Sequence, residues 1–382
     1  MTAKTTNLPE IDPEEILEGV LAWVGIESPS TDAVAVNRMV DHVEDGLGQI
    51  GARIERTPGQ DGFGDILKAR TPWGGDGPGI LVLSHLDTVH PVGTIETDLE
   101  VRRDGDKIFG PGIYDMKAGA YIAQYAYRHL VRHGRETPLP ITFLYIPEEE
   151  VGSPTSRAVI EAEALKNSYV LVTEPARDGG KIVTARKGVA RFEMKTRGRP
   201  AHSGARHEDG RSAIKEMARQ ILRIEDLTDY GVGVTANVGL VNGGTMTNVV
   251  PAGCSAEIDL RVPDDDLGET LCAEILAYEA YDPDVKLEIL GGMNRPAYVK
   301  TEGIARLFDH AKDLAAEIGF ELQDCEITGG GSDGNFTAAL GVPTLDGLGA
   351  DGHGAHSHEE HIYFSSLKER TALMIRLFET LE

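Results

Sequence analysis

The stretch ITFLYIPEEEVGS, residues 141–153, begins with a largely apolar run of six residues. A single proline separates this run from three consecutive glutamates. A continuous apolar run of this length is typical of a strand that is buried on both faces, as in the parallel sheets of α/β proteins. Three adjacent carboxylates repel one another unless a positive group lies beside them. The stretch therefore predicts an α/β sheet with a cationic centre at one of its edges.

Two further segments repeat this pattern of a buried strand. GILVLSH (79–85) and SYVLVT (168–173) are apolar runs of similar length, and amphipathic helices are predicted over about 33–48 and 116–132. Strands that alternate with helices are typical of an α/β sheet with helices on both sides. Because functional groups collect at the carboxyl ends of such strands, we expect the residues that follow these strands to form one site.

The pattern changes in the middle of the chain. GVARFEMKTRG (188–198), GVTANVGLVN (233–242) and CSAEIDLRVP (254–263) alternate polar and apolar residues, which is typical of half-buried antiparallel strands. Helices are predicted from near Arg211 and over about 265–279, and the α/β pattern returns afterwards. The predicted organisation is a catalytic domain in two parts, residues 1–185 and 295–382, interrupted by a smaller α+β domain, residues 186–294.

Composition argues against several classes of partner. The 382 residues carry a formal net charge of −25 and no cluster of Lys and Arg, which disfavours a nucleic acid. The longest apolar runs are strand-sized, so no membrane span is predicted. Three widely spaced cysteines and an N-terminal segment without an apolar core predict reduced thiols in a cytoplasmic protein.

Histidine and acidic residues follow the predicted strands. They are His85 and Asp87 after GILVLS, Glu148, Glu149 and Glu150 after ITFLYI, Glu174 after SYVLVT, Asp115 after GPGIY, and His356 in HGAHSHEEH. Each alone is common in a surface loop, but such a set at one sheet edge is not. Imidazole and carboxylate together favour a divalent metal, above all Zn²⁺, with Mn²⁺ or Co²⁺ as alternatives.

Charge balance favours two metal ions over one. The carboxylates of Asp115, Glu150 and Glu174 carry three negative charges, whereas His85 and His356 are neutral ligands. Two Zn²⁺ ions would leave one positive charge, which a bound hydroxide neutralises. A single Zn²⁺ would leave a negative site even before Glu149 is added, which is costly in a partly dry cleft.

Seven motifs, taken in order, resemble the M20 metallopeptidases, most closely the glutamate carboxypeptidase branch typified by carboxypeptidase G2. They are SHLDTV (84–89), GPGIYDMKAG (110–119), PEEEVGS (147–153), TEPA (173–176), RPAHSG (199–204), GGGSDGNF (329–336) and AHSHEE (355–360). The resemblance implies a di-zinc exopeptidase-like catalytic domain, in which helices sandwich a mixed sheet. It also implies that the inserted domain serves as a dimerisation and lid domain.

The resemblance assigns the metal ligands residue by residue. It implies that His85 and Glu174 hold one zinc ion and that Glu150 and His356 hold the other. Asp115 would bridge the two ions.

Two acidic residues receive other roles from the resemblance. Asp87 would hold the second ring nitrogen of His85 and fix its tautomer. Glu149 would be the general base, and an extended chain would let it face the water while Glu150 faces the metal. Glu148 has neither role, and we expect it to be solvated or structural.

The inserted domain would contribute residues that contact the substrate. The resemblance implies that His202 reaches into the site of the partner subunit of a homodimer and stabilises an oxyanion. Asn248 and Arg261 match positions that hold a carboxylate or the transition state. Arg295 is a candidate for binding a second carboxylate.

The predicted reaction is hydrolysis of an amide bond beside a free carboxylate, in a short peptide or another small molecule. Release of a C-terminal acidic residue and deacylation of an N-acyl amino acid both fit. An alternative is a non-peptide amidohydrolase or aromatic-amine hydrolase on the same fold. A non-catalytic binding homologue is disfavoured, because Glu149 and all the candidate ligands are present.

Overall fold

The computed structural model describes residues 10–382, which divide into two compact units. The larger unit comprises 10–185, Val299–Thr328 and Ser332–Glu382, and the smaller unit comprises Arg186–Tyr298 and Gly329–Gly331. The helices of the described residues are α1 Pro13–Val24, α2 Ala33–Gln49, α3 Thr94–Thr97, α4 Ala118–Arg132, α5 Arg157–Ala164, α6 Ala213–Glu225, α7 Asp265–Leu276, α8 Glu302–Ile318, α9 Gly334–Ala339 and α10 Phe364–Thr380. The strands are β1 Arg53–Thr57, β2 Ile66–Arg70, β3 Ile80–His85, β4 Arg102–Asp104, β5 Lys107–Phe109, β6 Ile141–Ile146, β7 Tyr169–Val172, β8 Ile182–Val183, β9 Gly188–Arg197, β10 Thr235–Gly243, β11 Gly253–Val262, β12 Lys286–Arg295, β13 Asp324–Cys325, β14 Thr344–Leu345, β15 Gly352–His353 and β16 His361–Tyr363.

Several helices begin where the sequence provides a capping side chain. The Asp12 carboxylate accepts a hydrogen bond from the Glu14 amide, and Asp32 and Thr301 cap α2 and α8 in the same way. The helices predicted over 33–48 and 116–132 are confirmed as α2 and α4. Within residues 10–382, no helix combines the length and the apolar character that crossing a bilayer requires.

The central sheet of the larger unit is mixed, as predicted. Its strand order is β1-β2-β6-β3-β7-β14, with β6, β3, β7 and β14 parallel and the β1–β2 and β2–β6 pairs antiparallel. Alternate residues of β3 enter different cores: Ile80 and Val82 join the core of α1, α4 and α10, whereas Leu81 and Leu83 join that of α5 and α9. Both faces of the sheet are therefore covered, which explains the continuous apolar runs.

This topology brings the predicted site residues to one edge. Because β3, β6 and β7 run in parallel, the segments after His85, Ile146 and Val172 all leave the sheet on the same side. A second, antiparallel sheet in the order β15-β16-β5-β4 places the late segment around His356 beside the segment that leads to Asp115.

The smaller unit has an antiparallel sheet in the order β10-β11-β9-β12, with α6 and α7 packed in a single core. Strands β9 and β11 follow the predicted alternation. The alternation predicted for β10 is wrong in its second half, where all residues from Gly239 to Gly243 are exposed, and β12 has no counterpart in the sequence prediction. Gly291 and Gly292 interrupt β12 with φ angles of 140° and 149°. A Cβ atom on Gly291 would lie 2.1 Å from the Arg191 carbonyl oxygen, so the close strand approach requires glycine.

Candidate metal centre

The Asp115 carboxylate lies at the centre of a chain of contacts that includes four other side chains. His85 Nε2 lies 3.2 Å from Asp115 Oδ1 and 3.8 Å from Glu174 Oε1. His356 Nε2 lies 3.4 Å from Asp115 Oδ2 and 3.0 Å from Glu150 Oε2. Each oxygen of Asp115 thus faces a different imidazole, and each imidazole has a further carboxylate beyond it.

Two groups of potential metal ligands share His85. Among residues 10–382, the ligand atoms of His85, Asp115 and Glu150 lie within 4.8 Å of one another, and so do those of His85, Glu149 and Glu174. Nitrogen and carboxylate oxygen at this spacing fit a divalent ion such as Zn²⁺. The loop geometry is unusual as well, since His356 has a φ angle of 62°, which few residues other than glycine adopt.

The electrostatic surroundings of these side chains favour positive charge at the site. Burial, together with the negative charge of Asp115, raises the pKa of Glu150 to about 8. Hydrogen bonds to Asp115 and Glu150 raise the pKa of His356 to about 11. Glu150 Oε1 is also buried without a hydrogen-bond partner among the described residues. A metal cation would satisfy this oxygen, so the side chains fit a metal ion.

The segment that carries Glu149 and Glu150 is a 3₁₀ turn, Glu149–Val151, so the predicted extended chain is wrong. The cause is the Asp87 carboxylate, which accepts hydrogen bonds from the amides of Glu149 at 3.1 Å and Glu150 at 3.2 Å. The Ser30 hydroxyl donates to the same carboxylate at 2.6 Å. Asp87 therefore determines the backbone from which both glutamates project.

Glu148 is fully buried, so the structural alternative holds and the solvated one is wrong. Its Oε1 accepts hydrogen bonds from the amides of Thr155 at 3.1 Å and Ser156 at 2.8 Å, and from both hydroxyl groups. These groups lie just before α5. Glu148 thus stabilises the helix start that follows the acidic turn.

The imidazole of His85 is oriented mainly by the main chain. Its Nδ1 lies 2.9 Å from the Asp87 carbonyl oxygen and 3.4 Å from the Asp87 carboxylate. Donation from Nδ1 to the carbonyl leaves Nε2 as the nitrogen that faces Asp115 and Glu174. The tautomer is the one the resemblance implies, although the nearest acceptor is the carbonyl rather than the carboxylate.

His202 and Asn248 lie together in the smaller unit. His202 Nδ1 accepts hydrogen bonds from the amides of Gly204 at 3.2 Å and Ala205 at 3.1 Å. The Ser203 amide donates to the Asn248 carbonyl oxygen at 3.0 Å, which joins the two loops. Because Nδ1 is the acceptor, the neutral His202 ring carries its proton on Nε2 and can donate from there.

The two candidate arginines of the smaller unit differ in their surroundings. The guanidinium of Arg261 pairs with the Asp259 carboxylate through contacts of 2.6 and 2.8 Å and donates to the Gly329 carbonyl oxygen at 3.3 Å. Arg295 is only 4% exposed, and its Cδ atom lies close against Gly331. Arg261 is thus the more accessible of the two.

Residues 81–380 match the sequence profile of peptidase family M20/M25/M40. Carboxypeptidase G2 from Pseudomonas sp. (strain RS-16) is 30% identical over 359 residues, which span 93% of this chain and 86% of that protein. The chain belongs to peptidase family M20/M25/M40. It is accordingly a metallopeptidase-type hydrolase that acts on peptide or amide bonds, and the family is metal-dependent.

Solved structures of M20 relatives have the same fold. Aminopeptidase PepT from Bacillus cereus ATCC 10987 superposes with a TM-score of 0.76 at 24% identity, covering 96% of this chain and 98% of that one. The YXEP protein from Bacillus subtilis, described as a dinuclear metal-binding peptidase of the M20 family, superposes with a TM-score of 0.67 at 17% identity, covering 97% and 99%. At these identities the likeness establishes the fold alone.

The structure adds residues to this candidate site that the sequence prediction missed. Ser30 contacts Asp87, and the buried Glu360 contacts the backbone that carries Asp115. Glu360 lies within the AHSHEE motif, but the motif alone does not distinguish it from its exposed neighbour Glu359. Ser30 lies 57 residues before its partner, and nothing local to it indicates that contact.

Proposed function

We propose that this M20 chain is a di-zinc hydrolase that cleaves an amide bond beside a free carboxylate. Release of a C-terminal acidic residue and deacylation of an N-acyl amino acid are the two reactions of this class. The observation that carries the proposal is the Asp115 carboxylate, whose two oxygens face His85 and His356 at 3.2 and 3.4 Å. The similarity to Carboxypeptidase G2 supports a carboxylate-bearing substrate.

The ligand roles follow from the contacts around Asp115. His85 and Glu174 would hold one ion, Glu150 and His356 the other, and Asp115 both. Zn²⁺ suits this mixture of nitrogen and oxygen ligands, and Mn²⁺ or Co²⁺ would also be accepted. Bound metal supplies Lewis acidity, which polarises the scissile carbonyl and lowers the pKa of water.

Glu149 is the proposed general base. Its carboxylate lies within 4.8 Å of the ligand atoms of His85 and Glu174, and the Asp87 carboxylate holds its amide. From this position Glu149 would take the proton of the attacking water and then deliver it to the departing amine. The side chain is only partly buried, so water has access to it.

Residues of the smaller unit would complete the reaction. His202 would donate from Nε2 to the oxyanion that develops in the site of the partner subunit, a role that its tautomer supports. Asn248 and Arg261 would bind the substrate's carboxylate, with Arg261 shared between substrate and Asp259. Arg295, which is 4% exposed, stays the candidate for binding a second carboxylate of the substrate.

A homodimer through the smaller unit is part of the proposal. Strand β10 lies at the edge of its sheet, and among the described residues no other strand pairs with its outer side. Leu240 and Val241 on this strand are 62% and 58% exposed, and Met246 beyond it is 67% exposed. An exposed apolar edge strand suits pairing with a second copy. We also propose a cytoplasmic location, in keeping with the buried thiols of Cys254 and Cys272.

The test is hydrolysis of a panel of N-acyl amino acids, dipeptides, and pteroyl- or aminobenzoyl-glutamate. Zinc-loaded wild type is compared with Glu149→Gln, and with Glu161→Gln as a control that alters a carboxylate ion-paired with Arg157 on α5. We expect a loss of about 10²–10⁴-fold in kcat for Glu149→Gln at unchanged zinc content, and none for the control. No turnover by wild type holding two zinc ions would overturn the peptidase proposal and favour another C–N bond.

A further inference from the structure

The backbone before and at Asp115 is held by one buried carboxylate, that of Glu360. Glu360 Oε1 accepts hydrogen bonds from the amides of Tyr114 at 2.9 Å and Asp115 at 3.0 Å. Its Oε2 accepts one from the Gly112 amide at 3.1 Å and lies 2.6 Å from His90 Nε2. Glu360 is 1% exposed, so these four groups satisfy both oxygens without solvent.

This backbone needs an external acceptor because it is irregular. Asp115 has φ and ψ of −114° and 96°, and Met116 has −130° and 30°, both outside the helical region. The regular hydrogen bonds of α4 begin only afterwards, and the amides of Gly112, Tyr114 and Asp115 have no acceptor within the turn, unlike that of Lys117, which donates to the Gly112 carbonyl oxygen. Buried amides without an acceptor are costly, and Glu360 provides acceptors for three of them.

Residues 356–360 contact Asp115 in two places, at its carboxylate and at its backbone amide. His356 faces Asp115 Oδ2, and Glu360, four residues later, accepts the Asp115 amide. The main chain takes part as well, since the Gly110 amide donates to the Glu360 carbonyl oxygen at 3.4 Å. A shift of the Asp115 backbone would change the distances of its two oxygens to His85 and His356 together.

We propose that Glu360 is the positioning residue for Asp115, and that His90 orients Glu360. The inference rests on the proposed role of Asp115 as the ligand shared by two metal ions. Glu360 would contact neither metal nor substrate. It fixes where the shared carboxylate lies, and residues of this kind commonly change metal affinity about 10–100-fold when altered.

A matched control lies in the smaller unit. The carboxylate of Glu216, which is 2% exposed, accepts hydrogen bonds from the amides of Tyr281 at 2.9 Å and Asp282 at 3.1 Å, and from the side chain of Gln220. It resembles Glu360 in burial and in its backbone partners. No group of potential metal ligands includes it among the described residues. Glu216→Gln therefore reproduces the structural cost without touching the centre.

The experiment measures zinc affinity of the full chain by chelator competition, together with the absorption spectrum of the Co²⁺-loaded protein. Glu360→Gln replaces one acceptor oxygen by an amide NH₂, so at least one backbone amide of the turn loses its acceptor. We expect affinity for the second zinc ion to fall about 10–100-fold and the Co²⁺ spectrum to change. Glu216→Gln should lower stability in urea to a similar extent and leave both metal readouts unchanged.

A second pair of variants tests the role of His90 and decides the matter if Glu360→Gln does not fold. His90→Gln keeps a side-chain donor for Glu360, whereas His90→Leu removes it. We expect His90→Leu to lose zinc affinity and His90→Gln to recover most of it. Wild-type affinity in Glu360→Gln, or equal affinities in the two His90 variants, would overturn the proposal. Failure of wild type to bind two ions would instead overturn the proposed function.

Discussion

The two compact units are both sheets packed with helices, but they place their functional side chains in opposite ways. In the larger unit, β3 and β6 are buried along their whole length, and three candidate ligands lie at or after the ends of parallel strands: His85, Glu150 and Glu174. Asp115 and His356 reach the same place from segments next to the antiparallel sheet of β5 and β16. In the smaller unit the central strands β9 and β11 alternate in burial, and His202 and Asn248 lie in exposed loops.

The difference shows how topology determines whether a unit can form a centre of its own. Parallel strands with both faces covered must present polar residues at their carboxyl ends, so ligands converge there. An antiparallel sheet with one covered face distributes its polar residues over loops and edges. We therefore propose that the smaller unit contributes single groups to the reaction, as His202 would.

Metal removal should produce the largest effect and should separate the two units. A chelator is expected to abolish hydrolysis and to lower the free energy of unfolding by about 2.7 kcal/mol for each of the two zinc ions, relative to protein in zinc at 100 times Kd. Amide hydrogen exchange should increase around Asp115 and Glu150 and remain unchanged in α6. Equal increases in both units would contradict the assignment of the centre to the larger unit.

Substitution of His202 should have the next largest effect, which is a fall in kcat. His202→Ala removes the Nε2 donor, and we expect kcat to fall roughly 10²–10³-fold at unchanged zinc content. His202→Gln, which retains a donor, should recover part of the loss. A fall in zinc content, or no change in kcat, would show that the smaller unit does not act as proposed.

The exposed edge of the smaller unit provides a more moderate test. Val241→Lys should weaken self-association by at least about 1 kcal/mol, because a charge replaces an exposed apolar side chain on β10. Val34→Lys is the control, since Val34 is 71% exposed on α2 of the larger unit. Sedimentation equilibrium should show dissociation for the first variant only, and identical behaviour of both would argue against this interface.

The smallest effect concerns an ion pair in the larger unit, away from the proposed ligands. Burial acts to raise the pKa of Asp65, but hydrogen bonds from the Gly59 amide and Arg56 lower it overall. The resulting stability is fully present above the ordinary pKa of about 3.9 and is lost as pH falls through the lower folded pKa. Asp65→Asn should cost roughly 1 kcal/mol at pH 7 and less near pH 2, as measured by urea unfolding. An equal cost at both values would assign the effect to packing instead of charge.

Sequence patterns identified the features whose cause is local. The strands β3, β6 and β7 could be predicted from their apolar runs, because these runs reflect burial on both faces of the sheet. Strand β12 was missed because Gly291 and Gly292 interrupt its alternation. It pairs with β9, which is distant in the sequence, and no local sequence pattern indicates this contact.

At the candidate centre, the residue types were predictable and the backbone was not. Asp115 and Glu150 could be predicted as metal ligands because they lie just after a glycine-rich turn and a buried strand, respectively. The 3₁₀ turn at Glu149 depends on Asp87, 62 residues earlier, and the turn at Asp115 depends on Glu360, 245 residues later. Such acceptors act across the fold, so the sequence around each ligand does not show them.

The central claim is that Asp115 is shared by two metal ions, and anomalous scattering tests it most directly. Crystals of the zinc-loaded protein would be measured at the zinc absorption edge. We predict two peaks per chain about 3.5–4 Å apart on either side of the Asp115 carboxylate. His85 and Glu174 should flank one peak, and Glu150 and His356 the other. A single peak, or two peaks that do not share Asp115, would contradict the account.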